Sequence, residues 1–233
     1  AARLAREFWR RRADFKFRSE HYDSERALQA AFKAVLHDGM RPVFVSDSGD
    51  NPTAGSTGDS TDVLERVLAN MAVVDSLPTP LLYSGFYDAR ATAACIAAGE
   101  GSSIDIEVGG TWDQVNGKRI PLRVKVLKVA RNYGPYHADL ALVSHRNMAI
   151  ALTSKHIGFG DEELLPALGV DPRSHCLVVV KLGYLEACFS DIAAKAILAT
   201  SKGCSNEVLE SIPFKRIRRP LYPIDPDMTY EPD

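Results

Sequence analysis

No stretch of the chain approaches the roughly 20 consecutive apolar residues that span a bilayer. The opening run AARLAREFWRRRADF lacks the apolar core of a secretion signal, so a cytoplasmic location is expected. Cysteine is scarce: Cys95, Cys176, Cys188 and Cys204 lie in separate segments, without the close pairing that a zinc knuckle or a redox motif requires. Each therefore reads as a small buried hydrophobe in a reducing compartment. Charge of one sign is missing too. With 28 basic against 30 acidic residues the formal charge is −2, so no global field recommends nucleic acid or an anionic membrane as partner. Metal-binding histidine spacing is also absent. His21, His37, His137, His145, His156 and His175 include no pair at i, i+3 or i, i+4, and there is no HExxH or HxH. No complete catalytic zinc site is expected in this chain.

What remains is an ordinary globular composition, 45% hydrophobic and 25% charged over 233 residues, enough to bury one large core. Residues 24–37 carry Ala27, Leu28, Ala31, Phe32, Val35 and Leu36 at helical spacing, with Ser24 as expected N-cap and Gly39 after the last turn. His37, near that helix's C-terminus, suits the dipole there. A buried strand at 42–45 leads into a polar loop and then an amphipathic helix over 60–71. A strand at 81–83 and a helix from Asp88 to Ala98 follow. Alternation at 104–108 and 122–126 predicts two strands with one wet face, with Asn116 and Gly117 as a turn signal between them. Residues 140–143 and 148–152 read as a hairpin, 161–168 as a short helix closed by Gly169, and CLVVV at 176–180 as a central strand covered on both faces. A helix is expected over 185–198, then an extended tail. The fold class expected is α/β: a mixed β-sheet flanked by helices in a single domain.

The stretch VSDSGDNPTAGSTGDST, 45–61, packs three aspartates and three glycines between strand and helix. Helix starts offer unpaired N–H groups and partial positive charge, so such turns commonly hold anionic or carbonyl oxygens. Asp47, Asp50 and Asp59 pull the other way, since each would repel a phosphate unless tied to amides, a base or a metal. A P-loop is excluded because no lysine follows Gly58, an EF-hand because Asp47 and Asp50 are three apart, and GxGxxG is absent. The bland alternative has Asp47 and Asp50 bonding the loop's own amides and Asp59 capping the next helix. For Asp59 that alternative is preferred; for Asp50 and Asn51 both readings stand.

The string SDSGDNPTAGSTGDST resembles the D-x-x-DNP-x-x-G-x-x-GD signature of the C-terminal domain in the microcystinase C family of zinc metallopeptidases. VVVKLGYL at 178–185, ALTSKHIG from 151 and RIRRPLYPID at 216–225 are similar to later landmarks of the same domain, in the same order. The resemblance implies a two-domain hydrolase in which zinc polarises a carbonyl and activates water, its ligands lying in an N-terminal domain without counterpart here. It also implies that the loop faces the catalytic cleft, with Asp47, Asp50, Asn51, Gly55 and Gly58, and Ser56 among them, as substrate-binding positions. Residues 1–23 are then expected to form the helical connection to that domain, and 24–233 the α/β domain itself. The uncapped helix expected over 1–13, with Leu4 and Phe8 on one side, fits a chain cut from something longer; removal of an initiator methionine before alanine is the other explanation of the start.

Lys181, at the carboxyl end of the expected central strand, stands where ligands of open α/β sheets gather. With Tyr184 it is a candidate for meeting a substrate carboxylate or the loop; the bland alternative is a structural pair with a loop aspartate. Lys215, Arg216, Arg218 and Arg219 form a short basic run followed by the acidic tail DPDMTYEPD, which reads as a solvated or domain-contacting face rather than a nucleic-acid site. The expected partners are the metal-binding domain and a small peptide or amide substrate, with a homo-oligomer possible in principle. The rival from another class is a non-catalytic binding module whose loop recognises an anionic or carboxylate molecule.

Overall fold

The structure is a computed structural model and describes residues 1–159 and 163–231. Among them nine strands form one sheet in the order β1-β9-β2-β8-β3-β7-β6-β5-β4. The strands are β1 (Glu20–Tyr22), β2 (Val43–Asp47), β3 (Leu81–Tyr87), β4 (Ser103–Val108), β5 (Ile120–Tyr133), β6 (Ala138–His145), β7 (Met148–Thr153), β8 (Leu177–Val180) and β9 (Lys195–Ala199). β1, β9, β2, β8, β3 and β7 run parallel, while β6, β5 and β4 continue antiparallel from β7. The expected mixed sheet is found. The helices are α1 (Ala2–Arg10), α2 (Ser24–Leu36), α3 (Asp62–Ala69), α4 (Met71–Asp75), α5 (Ala89–Ala98), α6 (Leu164–Ala167) and α7 (Ala187–Ser190).

Strand alternation sends side chains to two cores. Val43, Val45, Tyr83, Val179 and Ile197 pack beneath α2, α3, α4 and α5, whereas Phe44, Leu82, Val178 and Val180 face Ile157, Phe159, Leu165 and Phe189 on the other side. The run without alternation, β8, is wholly buried between β2 and β3, because both of its faces are covered. The β4–β5 pairing sets Ile104 against Val124 and Ile106 against Leu122, which is the register their alternation demands.

Several local expectations are corrected. Residues 185–198 do not form one helix: α7 ends at Ser190 and Lys195–Ala199 is a strand between β1 and β2. The α2 N-cap is Asp23, whose side chain accepts from Arg26 N, while the Ser24 hydroxyl donates to Asp62. The helix expected over 60–71 breaks at Asn70 into α3 and α4. Of the helix expected over 161–168, the structure describes α6; positions 161 and 162 lie outside the described residues. Cys95 and Cys176 are buried as expected, but Cys188 is half-buried and Cys204 exposed. α1 buries no residue; its Trp9 meets Tyr222 and Tyr230 edge-on, so the first helix and the tail pack together outside the sheet.

Candidate functional site

β2, β8, β3 and β9 all end at one edge of the sheet, and each delivers a polar group there. Asp47 is the last residue of β2, Lys181 follows β8, Tyr83 lies in β3, and Ser201 stands two residues beyond β9. Lys181 Nζ donates to Asp47 Oδ2 at 3.0 Å, to Asp50 Oδ2 at 2.7 Å and to the Ser60 carbonyl at 2.9 Å. Asp47 also accepts from the Tyr83 hydroxyl at 3.1 Å and the Ser201 hydroxyl at 2.5 Å. These charges are deeply enclosed, with Asp47 1%, Asp50 0% and Lys181 2% exposed.

Asp50 organises the loop around itself. Its Oδ1 accepts from Gly58 N at 2.7 Å and the Ser56 hydroxyl at 2.8 Å, and its Oδ2 from Ser60 N at 2.8 Å. The amides that would have received an outside anion are thus filled by the loop's own carboxylate. Burial raises the carboxyl pKa, but the charge of Lys181 and these donors outweigh it and hold Asp50 below its ordinary value. Asp47 goes the other way: burial dominates, against the pull of Lys181, and lifts it above the ordinary value. Burial would lower Lys181, yet two facing carboxylates hold its pKa well above the ordinary value. The triad therefore carries at least one firmly ionised pair.

The polar atoms of Asp47, Asp50, Ser56 and Lys181, four of the expected substrate-binding positions, are enclosed and paired within the cluster and its flanking segments. For Lys181 the bland alternative holds. The outward surface of the loop is made by Asn51, Thr53, Ala54 and Gly55, with Gly55 exposed at the tip in a left-handed conformation (φ 87°). Gly58 (φ 74°) sits beneath, close to Pro52 and Tyr87. Asn51 Oδ1 accepts from Thr53 N and Oγ1, a local turn that closes the DNP segment. Tyr184 lies apart from the cluster, half-exposed, its hydroxyl accepting from Arg18 N at 3.1 Å.

Asp59 does not cap α3. Its carboxylate reaches across the sheet edge and accepts from Thr111 N, Trp112 N and Asp113 N at 2.8, 2.7 and 3.1 Å. Asp113 in turn accepts from Val115 N and Asn116 N. The β4–β5 connection is thereby fixed beside the loop, with Trp112 and Val115 turned outward.

Two further contacts escape a sequence reading. His156, after β7, bonds the Ser56 carbonyl through Nε2 and lies edge-on to Tyr87. The segment after β9 clasps the loop from the other side: Ser205 N donates to the Gly49 carbonyl, and its hydroxyl donates to the Ser48 carbonyl while accepting from Asn51 N. A Cβ on Gly203 would run into the Gly49 carbonyl, so glycine is required for this approach. The expectation of a helix over 185–198 conceals the segment's position; a strand followed by Ser201 and Gly203 is the signal the residues carry.

Among the described residues no three His, Cys, Asp or Glu side chains come together as metal ligands. The carboxylates that the signature supplies are committed to Lys181 and to backbone amides, so a metal does not fit the signature's own donors.

Comparison with known proteins places the chain in a family. Over 97% of its length the chain is 24% identical to Microcystinase C of Sphingomonas sp, spanning 44% of that protein. It also matches the crystal structure of a protein from Mesorhizobium sp. BNC1, provisionally named a metallopeptidase, with a TM-score of 0.73, 22% identity and coverage of 96% of this chain and 44% of that one. The chain thus spans under half the length of either. The model of the MlrC C-terminus family matches residues 45–216, which begin at the strand feeding the aspartate loop and take in Lys181 and the Gly203 clasp, and the chain belongs to that family.

Proposed function

We propose that this chain forms the substrate-facing wall of a metallopeptidase-like hydrolase acting on amide bonds of peptides or other small compounds, with zinc held by a domain outside these 233 residues. The observation that carries the reading is the build of the signature loop. A buried Asp47–Lys181–Asp50 cluster and the segments that clasp it hold the loop at the carboxyl edge of the parallel strands, with Thr53, Ala54 and Gly55 exposed and Asn51 and Thr57 half-buried. Ligands of open α/β sheets collect at that edge, and a pre-organised wall lowers the entropy cost of positioning a substrate. On this reading residues 1–23 connect to the metal-binding domain, and the enzyme works in the cytoplasm.

Binding of a simple anion by the loop has less support, because Asp50 already fills the Gly58 and Ser60 amides. A peptidase assay on the purified chain tests the division of labour. No turnover above background is expected with or without added zinc; robust, chelator-sensitive hydrolysis by the chain alone would refute it.

A further inference from the structure

On the face of the sheet away from Asp47 and Lys181 a second space opens. Strand alternation turns Ser46, the residue before Asp47 in β2, to the side of Phe44, in register with Val180 and Leu198 of the neighbouring strands. There it lines a cavity of about 290 Å³ whose walls include Leu185, Ala196 and Leu198 together with the exposed Tyr184. Ser46 is 3% exposed, and its hydroxyl has no hydrogen-bond partner among the described residues. The equally unpaired hydroxyl of Ser84 is sealed from solvent; that of Ser46 is not, so its oxygen opens into the cavity. An enclosed hydroxyl left unpaired is costly, and a guest in the cavity removes that cost.

We propose that this cavity binds a small uncharged molecule with a short aliphatic body and a head that both donates and accepts a hydrogen bond, as an amide does. The Ser46 hydroxyl offers both roles to that head, and the aliphatic walls cover the body. Charge sets the preference. Lys195, the charged residue on the wall, is paired with Glu20 Oε2 at 2.8 Å. Neither a carboxylate nor an ammonium therefore meets an unpaired counter-charge there, and each would lose hydration among apolar walls. The size stands at the lower end of the roughly 300–1,000 Å³ usual for ligand pockets and suits a guest of amino-acid dimensions. The carboxyl end of β2 is also where ligands of open α/β sheets collect. The cavity, its balanced charge and its free hydroxyl are independent of whether the signature loop serves a hydrolase.

The test titrates the isotope-labelled 233-residue chain with 3-methylbutanamide, 3-methylbutanoate and 3-methylbutylamine, which share one body and differ in the charge of the head. The amide resonances of Ser46, Tyr184, Ala196 and Leu198 are followed. Saturable shifts are expected with 3-methylbutanamide in the millimolar range, weakened about tenfold or more with either ion. Ser46→Ala removes the hydroxyl without breaking a hydrogen bond, so it should leave the melting temperature at or above the wild type's while weakening binding about fivefold. Ala196→Leu fills the space from its half-buried wall and should abolish the shifts. Equal binding of the three probes, shifts that survive both substitutions, or no saturable shift with any probe would each overturn the proposal.

Discussion

Lys181 and Asp50, 131 residues apart in sequence, meet at 2.7 Å in the buried floor of the site. The contact joins the ends of two central strands and decides the shape of the loop between them and α3. Asp47 completes the cluster from the end of β2, so one ammonium faces two carboxylates out of reach of water. Breaking a buried pair by removing one partner is far costlier than replacing the whole set.

Lys181→Met should therefore destabilise the chain by about 3–5 kcal/mol, because it leaves two carboxylates facing each other without a cation. Asp50→Asn should cost about 3 kcal/mol, through loss of the anion that holds Gly58 N and Ser60 N. Asp47→Asn should cost less than either, since it removes a like charge. Urea unfolding monitored by circular dichroism checks the order; Asp47→Asn proving the worst of the three would contradict it.

Acid should act through the same residues with opposite signs. The Asp50 pKa is lowered in the folded state, so its contribution is present above the unfolded value of about 3.9 and is lost as pH falls through the lower folded value. The Asp47 pKa is raised, so the folded form takes up its proton first and gains stability on acidification between the two values. Stability measured from pH 6 to pH 2 should fall more steeply in Asp47→Asn than in the wild type, and less steeply in Asp50→Asn.

Asp59 holds three consecutive amides of the β4–β5 connection. Asp59→Ala should cost about 2 kcal/mol and, more specifically, should raise hydrogen exchange at Thr111, Trp112 and Asp113 well above its effect on the α3 amides. Faster exchange confined to the start of α3 would instead restore a capping role.

Ser84, fully buried in β3, has a hydroxyl with no hydrogen-bond partner among the described residues. Removing an unpaired buried hydroxyl relieves its desolvation cost. Ser84→Ala should be neutral or stabilising by up to about 1 kcal/mol, read as a melting temperature equal to or above the wild type's.

Much of this molecule is legible in its sequence, for reasons that differ by segment. The alternating runs that became β4 and β5, and the apolar run that became β8, announce both strand and burial because one or two covered faces write themselves into the residue pattern. Residues 189–197 fail the same test. Phe189, Ile192, Ala193, Ala196 and Ile197 fit a 3.6-residue period, yet only 187–190 is helical, and from Lys195 on pairing with β2 and β1 overrides local propensity, as it commonly does for short apolar segments. The three-residue edge strand β1 carries too few residues to declare a period. In the site, Asp47, Asp50 and Lys181 stand out through their places at strand ends, but whether they face solvent or one another depends on strand order, which spacing does not encode. Asp59 looks like a cap because it precedes a helix; its true partners lie more than fifty residues away.

The most direct test of the account is zinc binding by the purified 233-residue chain, measured by isothermal titration with the bound metal counted after gel filtration. Far less than one equivalent retained, with no peptide hydrolysis, is the predicted outcome. One tightly held zinc per chain, accompanied by hydrolysis that a chelator abolishes, would place the metal centre inside this chain and contradict the division between wall and metal domain.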